Sequence, residues 1–170
     1  GSYIFASNKR WGFFPGISLG WRLSEEKFLK DNVSWLNSLK LRASYGQQGN
    51  DNVGAFQYLL KYAMGRNYVF GGADVEGIYQ ESLPNEAITW EVAKTYNLGL
   101  DGTLWDGKLG FEIDLFQTRR SNILTARNAS IPQYTGLINL PNENIGEVKN
   151  QGIELQLSHY SKLGEVGLNL

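Results

Sequence analysis

The stretch ITWEVAKTYNLGLDGTL (88–104) decides how this chain folds. Ile88, Trp90, Val92, Tyr96, Leu98, Leu100 and Leu104 fall on one side of an extended chain. Thr89, Glu91, Ala93, Thr95, Asn97, Gly99, Asp101 and Thr103 fall on the other, and only Lys94 and Gly102 interrupt the apolar side. A period of two with one apolar and one polar face is the pattern of a β-strand. A tilted strand needs about 9–11 residues to cross a bilayer, against about 5–6 in a typical soluble strand, and this run exceeds both. Counted back from a turn at Trp105, the bilayer span ends near Thr95. That places Lys94 at the interface, where its ammonium reaches water, and leaves Ile88, Trp90 and Val92 pointing outward beyond the membrane.

The alternation recurs on either side of this run. From Phe13 to Ser24 the residues Phe13, Pro15, Ile17, Leu19, Trp21 and Leu23 oppose Phe14, Gly16, Ser18, Gly20, Arg22 and Ser24. Leu39, Leu41, Ala43 and Tyr45 oppose Lys40, Arg42 and Ser44. Leu109, Phe111, Ile113 and Leu115 oppose Gly110, Glu112, Asp114 and Phe116, and Ile153, Leu155 and Leu157 oppose Glu154, Gln156 and Ser158. A last run begins at Val166. The expectation is an all-β chain of roughly six antiparallel strands in one sheet, a transmembrane barrel fragment.

The links alternate in length. Trp105-Asp106-Gly107-Lys108 and Lys162-Leu163-Gly164-Glu165 read as tight turns with glycine where positive φ is needed. The links from about Gly46 to Ala87 and from about Arg119 to Gly146 are long and rich in Gly, Asn and Tyr. Short turns on one side and long loops on the other are the habit of outer-membrane barrels, with the long loops extracellular. Ser24, followed by Glu25 and Glu26, predicts an N-capped helical turn on the short side. Trp21, Trp35 and Trp105 near one end, with Tyr45 and Trp90 near the other, match interfacial aromatic girdles.

Composition narrows the function classes. The 170 residues carry a net charge of −1, with 16 Lys and Arg against 17 Asp and Glu and no basic run, so nucleic acid is not an expected partner. No cysteine and one histidine remove thiolate chemistry and the usual Cys/His zinc sites; no cofactor and no metal are expected. No apolar stretch approaches the roughly 18 residues of a membrane helix, a test that a barrel does not need to pass.

Four stretches carry a resemblance: RWGFFPGISLGWRLSEEKF (10–28), WLNSLKLRASYGQQGN (35–50), LPNEAITWEVAKTYNLGLD (83–101) and NIGEVKNQGIELQL (144–157). In order and spacing they resemble the C-terminal part of the barrel of SusC/RagA-type TonB-dependent outer-membrane transporters, with Gly16 where that family commonly has serine. The resemblance implies an outer-membrane barrel of about 22 strands, blocked by an N-terminal plug and energised by the TonB complex. It also implies a SusD-like surface lipoprotein as lid, and oligosaccharide or peptide cargo. Residues 1–170 then form a partial barrel domain in contact with outer-membrane lipid, without the plug and truncated at both ends, and Gly1-Ser2 lies within an external loop.

Two other classes fit the alternation alone, a soluble carbohydrate-binding β-sandwich and a β-fold glycoside hydrolase. The carboxylates Glu91, Asp101, Glu112, Asp114 and Glu154 lie on polar strand faces, where a hydrolase needs a pair flanking one sugar. Lining a wet lumen and pairing with Arg42 and Lys40 is the plainer reading. His159 has no second histidine or nucleophile elbow near it, and Gly49-Asn50-Asp51-Asn52 lacks the spaced acidic set of a calcium loop. No catalytic residue is therefore assigned and the chain is read as a non-enzyme. The loop tyrosines Tyr58, Tyr62, Tyr68, Tyr79 and Tyr134 are the ligand-binding candidates, because tyrosine joins an apolar face to a hydrogen-bonding tip suited to sugars or a lid.

Overall fold

The computed structural model describes residues 1–65, 67–126, 141–163 and 166–169. The described chain is mostly antiparallel β, with almost no helix. Six strands form one sheet: β1 (Gly16–Arg22), β2 (Leu36–Asn50), β7 (Glu91–Leu104), β8 (Leu109–Ala126), β9 (Asn142–Leu163) and β10 (Val166–Asn169), in the order β1-β2-β7-β8-β9-β10. Between β2 and β7 lie two small hairpins, in which β3 (Lys61–Met64) pairs β6 (Ile78–Ser82) and β4 (Tyr68–Phe70) pairs β5 (Ala73–Val75). Sequential strands are spatial neighbours once these hairpins are set aside, so the sheet is a meander.

The strand ends differ from the sequence expectation in both directions. β1 starts at Gly16, immediately after Pro15, which has no N–H to give to a ladder. It ends at Arg22, where Leu23–Glu25 turns into a 3₁₀ segment followed by the short helix α1 (Lys27–Lys30). Ser24 does not cap that turn: it lies inside the 3₁₀ segment, and neither helical element has a side-chain cap. β7 begins at Glu91, not Ile88. β2, β8 and β9 run much further than their apolar alternation, over 15, 18 and 22 residues. The link between β8 and β9 shrinks accordingly, whereas the one between β2 and β7 is shifted rather than shortened.

Backbone contacts divide the chain into two compact units, one of Gly1–Phe13, Gly49–Val92 and Arg120–Val148, the other of Phe14–Gln48, Ala93–Arg119 and Lys149–Leu170. The first has a small core. Phe5 and Ile88 are buried, and the Phe5 ring meets that of Trp90 with centroids 5.2 Å apart. The Trp90 indole donates to the carbonyl of Lys9 at 3.1 Å. The N-terminal segment is held by Ser2 N–H donating to Arg10 O and by the Arg10 guanidinium donating to Phe5 O. The N-terminal segment thus packs on Trp90, which corrects the girdle assignment of that residue. Sequence alternation cannot see that a segment about 80 positions away packs against the Trp90 indole.

Among the described residues, the second unit buries no large apolar side chain. Its sheet exposes large apolar side chains on one face, among them Ile17, Leu19, Trp21, Tyr96, Leu98, Leu115, Ile153, Leu155 and Leu157.

Candidate functional site

Side-chain contacts fix the two faces of the second unit. On the polar face Arg42 of β2 donates twice to the Asp101 carboxylate, at 2.7 and 2.6 Å, and once to Asp114 Oδ2 at 3.1 Å, joining β2, β7 and β8. Ser38 and Thr103 hydroxyls meet at 2.6 Å, and those of Thr95 and Thr118 at 3.1 Å. Asp101, Glu112, Thr103, Gln156 and Ser158 border a common polar cavity of about 140 Å³. Such a face suits water, because charges and hydroxyls that satisfy one another across strands gain little from an apolar neighbour. Of the five carboxylates read as lumen lining, Asp101, Glu112 and Asp114 are brought together here, whereas Glu91 belongs to the other unit. Asp101 and Asp114 close on a guanidinium, and Arg42 rather than Lys40 makes the pairs, since Lys40 stands two positions along the strand, opposite Arg22.

Glycine makes this clustering possible. A Cβ at Gly99 would lie 2.7 Å from both Arg42 Nη2 and Asp114 Oδ1, so only a residue without a side chain leaves room for the ion pairs above its backbone.

The opposite face carries aromatic tiers. Tyr45 and Tyr96 rings sit 4.9 Å apart, with the Gln47 amide hydrogen-bonded to the Tyr45 hydroxyl. Trp35 and Trp105 rings lie 6.4 Å apart at the short-turn end. In that turn Trp105, Asp106 and Gly107 all take positive φ, at 53°, 54° and 79°, so the left-handed backbone is not confined to the glycine. Asn37 clamps it, accepting from Gly107 N–H at 3.3 Å and donating to the Asp106 carboxylate at 3.4 Å. In the second turn, Gly164 and Glu165 lie outside the described residues.

In the first unit the loop candidates are spread out. Tyr62 and Tyr79 occupy the paired strands β3 and β6, but Tyr62 lies opposite Gln80 and Tyr79 opposite Ala63, so their side chains take opposite faces of the hairpin. Tyr62 shares its face with Met64 and Ile78, all three exposed. Tyr68 is exposed on β4, and Tyr58 packs edge-on to Phe56 at 6.3 Å. Tyr134 lies outside the described residues.

Sequence reading missed an amide network in this unit. Asn144 donates to the carbonyls of Thr89 and Asn122 and accepts from Thr89 N–H, while Asn85 donates to Asn142 O and Asn142 to Gln57 Oε1. Glu91 accepts from the Asn50 amide and from Leu124 N–H. A signal existed: the tripeptide Pro-Asn-Glu occurs at 84–86 and again at 141–143, and the two copies lie side by side.

An antiparallel sheet with an exposed apolar face, aromatic tiers at its margins and a charged, hydrogen-bonded reverse face is the wall of a transmembrane β-barrel. The comparisons specify which. The chain belongs to the family described as TonB dependent receptor-like, beta-barrel, whose model matches residues 2–170. TonB-dependent receptor P39 of Formosa agariphila is 37% identical over 158 residues, covering 93% of this chain. TonB-dependent receptor SusC of Bacteroides thetaiotaomicron is 36% identical over 165 residues, again covering 93%. The chain spans only 14% and 16% of the length of these two relatives. Among solved structures, the RagAB peptide importer in its closed-closed state matches the fold with a TM-score of 0.76 at 23% identity, over 95% of this chain and 17% of that one. The SusC/RagA-type resemblance therefore holds, and the chain is part of an outer-membrane β-barrel.

Proposed function

We propose that this chain forms wall and extracellular loops of a transporter that imports oligosaccharides or peptides, energised through a TonB-contacting plug and lidded by a SusD-like lipoprotein, with no catalytic role of its own. The observation that carries this reading is the division of labour between faces. Leu19, Ile153 and Leu155 are 70%, 73% and 63% exposed on the apolar face, an arrangement that a β-sandwich, which buries one face of each sheet, does not leave open. The reverse face is wet and charged, as the inside of a large barrel is. In this reading Tyr58, Tyr62, Tyr68, Tyr79 and Tyr134 offer aromatic surface to cargo or lid, and the long loops face the cell exterior.

The test uses the full-length receptor in its own cells, following uptake of fluorescent oligosaccharides and peptides. In-frame deletion of the receptor gene and inactivation of TonB should each abolish import of one of these classes. Unchanged uptake of every labelled compound in the deletion strain counts against the importer reading. Tyr62→Ala and Tyr68→Ala should each raise the half-saturating cargo concentration roughly two- to tenfold, the value of one lost aromatic contact. No change there would remove these tyrosines from the site.

A further inference from the structure

From an uncharged band on the polar face around Phe116, we infer that Ser18, Ser44, Asn97 and Phe116 form a binding site for one unit of a neutral oligosaccharide. The inference rests on the importer reading and chooses between its two cargo classes. The band is assembled strand by strand. Ser18 of β1 lies opposite Ser44 of β2, and Gly16 opposite Gly46. The ring contact of Tyr45 with Tyr96 and the hydroxyl contact of Ser38 with Thr103 set Ser44 level with Asn97 of β7. The contact between Thr95 and Thr118 sets Asn97 level with Phe116 of β8. Phe116 in turn reaches β9, where a Cβ at Gly152 would lie 2.9 Å from its Cζ. The row Ser18, Ser44, Asn97, Phe116 and Gly152 carries no charge, and neither does the next row toward the loops, Gly16, Gly46, Thr95, Thr118 and Asn150. Ser44, Asn97, Phe116 and Gly152 all border one open cavity of about 600 Å³, the size of a small-ligand site.

Two features set this band apart from the rest of the polar face. The first is the phenyl ring itself, which stands on a face otherwise built of charges, hydroxyls and amides. Phe111 of β8 also leans on a glycine, Gly102, but on the apolar face, where lipid covers it. Phe116 is half-buried, and Gly152 brings no side chain to cover the rest of the ring. The second feature is hydrogen-bonding capacity left unused. Elsewhere on this face neighbours satisfy one another: Arg42 binds Asp101 and Asp114, and Ser38 meets Thr103. Ser18, Ser44, Asn97 and Asn150 make no side-chain hydrogen bond among the described residues. The nearest charges along these strands are Arg42, Asp114 and Glu154 toward the short turns and Arg120 toward the loops, and Arg42 and Asp114 are already paired. A pyranose has an apolar C–H face for the phenyl ring, hydroxyls at its rim for the serines and the asparagine, and no charge to match. A short peptide brings terminal charges and a uronate brings a carboxylate, and the band holds no ion to pair with them.

The test titrates purified full-length receptor calorimetrically with glucan, mannan and xylan hexasaccharides, and with an oligouronate and a mixed-sequence hexapeptide for comparison. At least one neutral hexasaccharide should bind. Phe116→Leu keeps an apolar cover over Gly152 but removes the ring, and should weaken that binding roughly two- to tenfold. Asn97→Ala should weaken it by a similar factor, while Phe116→Tyr, which restores a ring, and Ser158→Ala, at the short-turn end of the same face, leave it unchanged. Heat-modified mobility on electrophoresis checks that the variants are folded. Binding of the uronate or the hexapeptide alone, no binding of any neutral hexasaccharide, or full affinity in both Phe116→Leu and Asn97→Ala would each overturn the proposal. Import in cells separates this site from the reading it rests on. If the deletion strain loses import while Phe116→Leu and Asn97→Ala import normally, the site alone falls; unchanged import in the deletion strain removes both.

Discussion

Arg42 holds Asp101 through two hydrogen bonds and Asp114 through one, and the three side chains are 34%, 29% and 19% exposed. A bidentate guanidinium in a half-dry setting matters chiefly because of what its removal leaves behind, two carboxylates facing each other with no cation between them. Arg42→Met should therefore destabilise the full-length receptor by about 1–3 kcal/mol in urea unfolding from vesicles. Arg42→Met with Asp101→Leu should recover part of that loss, a coupling of about 0.5–3 kcal/mol. Strictly additive effects would mean that the pair contributes nothing. That these acids would meet a cation across the strands was legible in the sequence, because all stand on polar faces. Which cation was not legible, because Arg42 and Lys40 share a face and only the register, with Lys40 opposite Arg22, separates them.

Among the elements, the β7–β8 turn is the one whose geometry its residues strain to keep. Three successive residues with positive φ are unfavourable for Trp105 and Asp106, and the turn persists because Asn37 of β2 supplies an acceptor to Gly107 N–H and a donor to Asp106 while Trp105 N–H reaches Trp35 O. Asn37→Ala should cost about 0.5–1 kcal/mol in thermal unfolding of the full-length receptor, and Gly107→Ala about 1 kcal/mol through its left-handed backbone. A neutral Gly107→Ala would show that the turn adopts another conformation. The turn itself could be read from Asp106-Gly107, and its clamp could not, since Asn37 precedes it by 69 positions. Strand existence was legible for the same reason as the turn: local pattern carried it. Strand length was not. β9 continues upstream of Ile153 through Glu147-Val148-Lys149-Asn150-Gln151-Gly152, where alternation with apolar residues lapses because neither face of the strand there needs to be apolar, and the ladder continues on backbone hydrogen bonds alone.

For the whole molecule, the decisive physical statement is which face meets lipid, and a pair of substitutions separates it from any soluble alternative. Leu155 lies on the apolar face of β9, midway between the polar residues Gln151 and His159, and is 63% exposed to whatever surrounds the sheet. Its neighbour Gln156 points to the other face, into the cavity shared with Asp101 and Glu112. If the surroundings of Leu155 are acyl chains, an arginine there loses its hydration in hydrocarbon, at a cost of about 2–4 kcal/mol near the midplane of such barrels. An arginine at position 156 stays wet and gains carboxylate neighbours, so its effect should be within about 0.5 kcal/mol of zero. Equilibrium unfolding of full-length receptor in phosphatidylcholine vesicles measures both. In a soluble protein the order reverses, because an exposed Leu155→Arg is harmless or solubilising. Equal small effects at the two positions would place both faces in water and remove the membrane from the account of this wall.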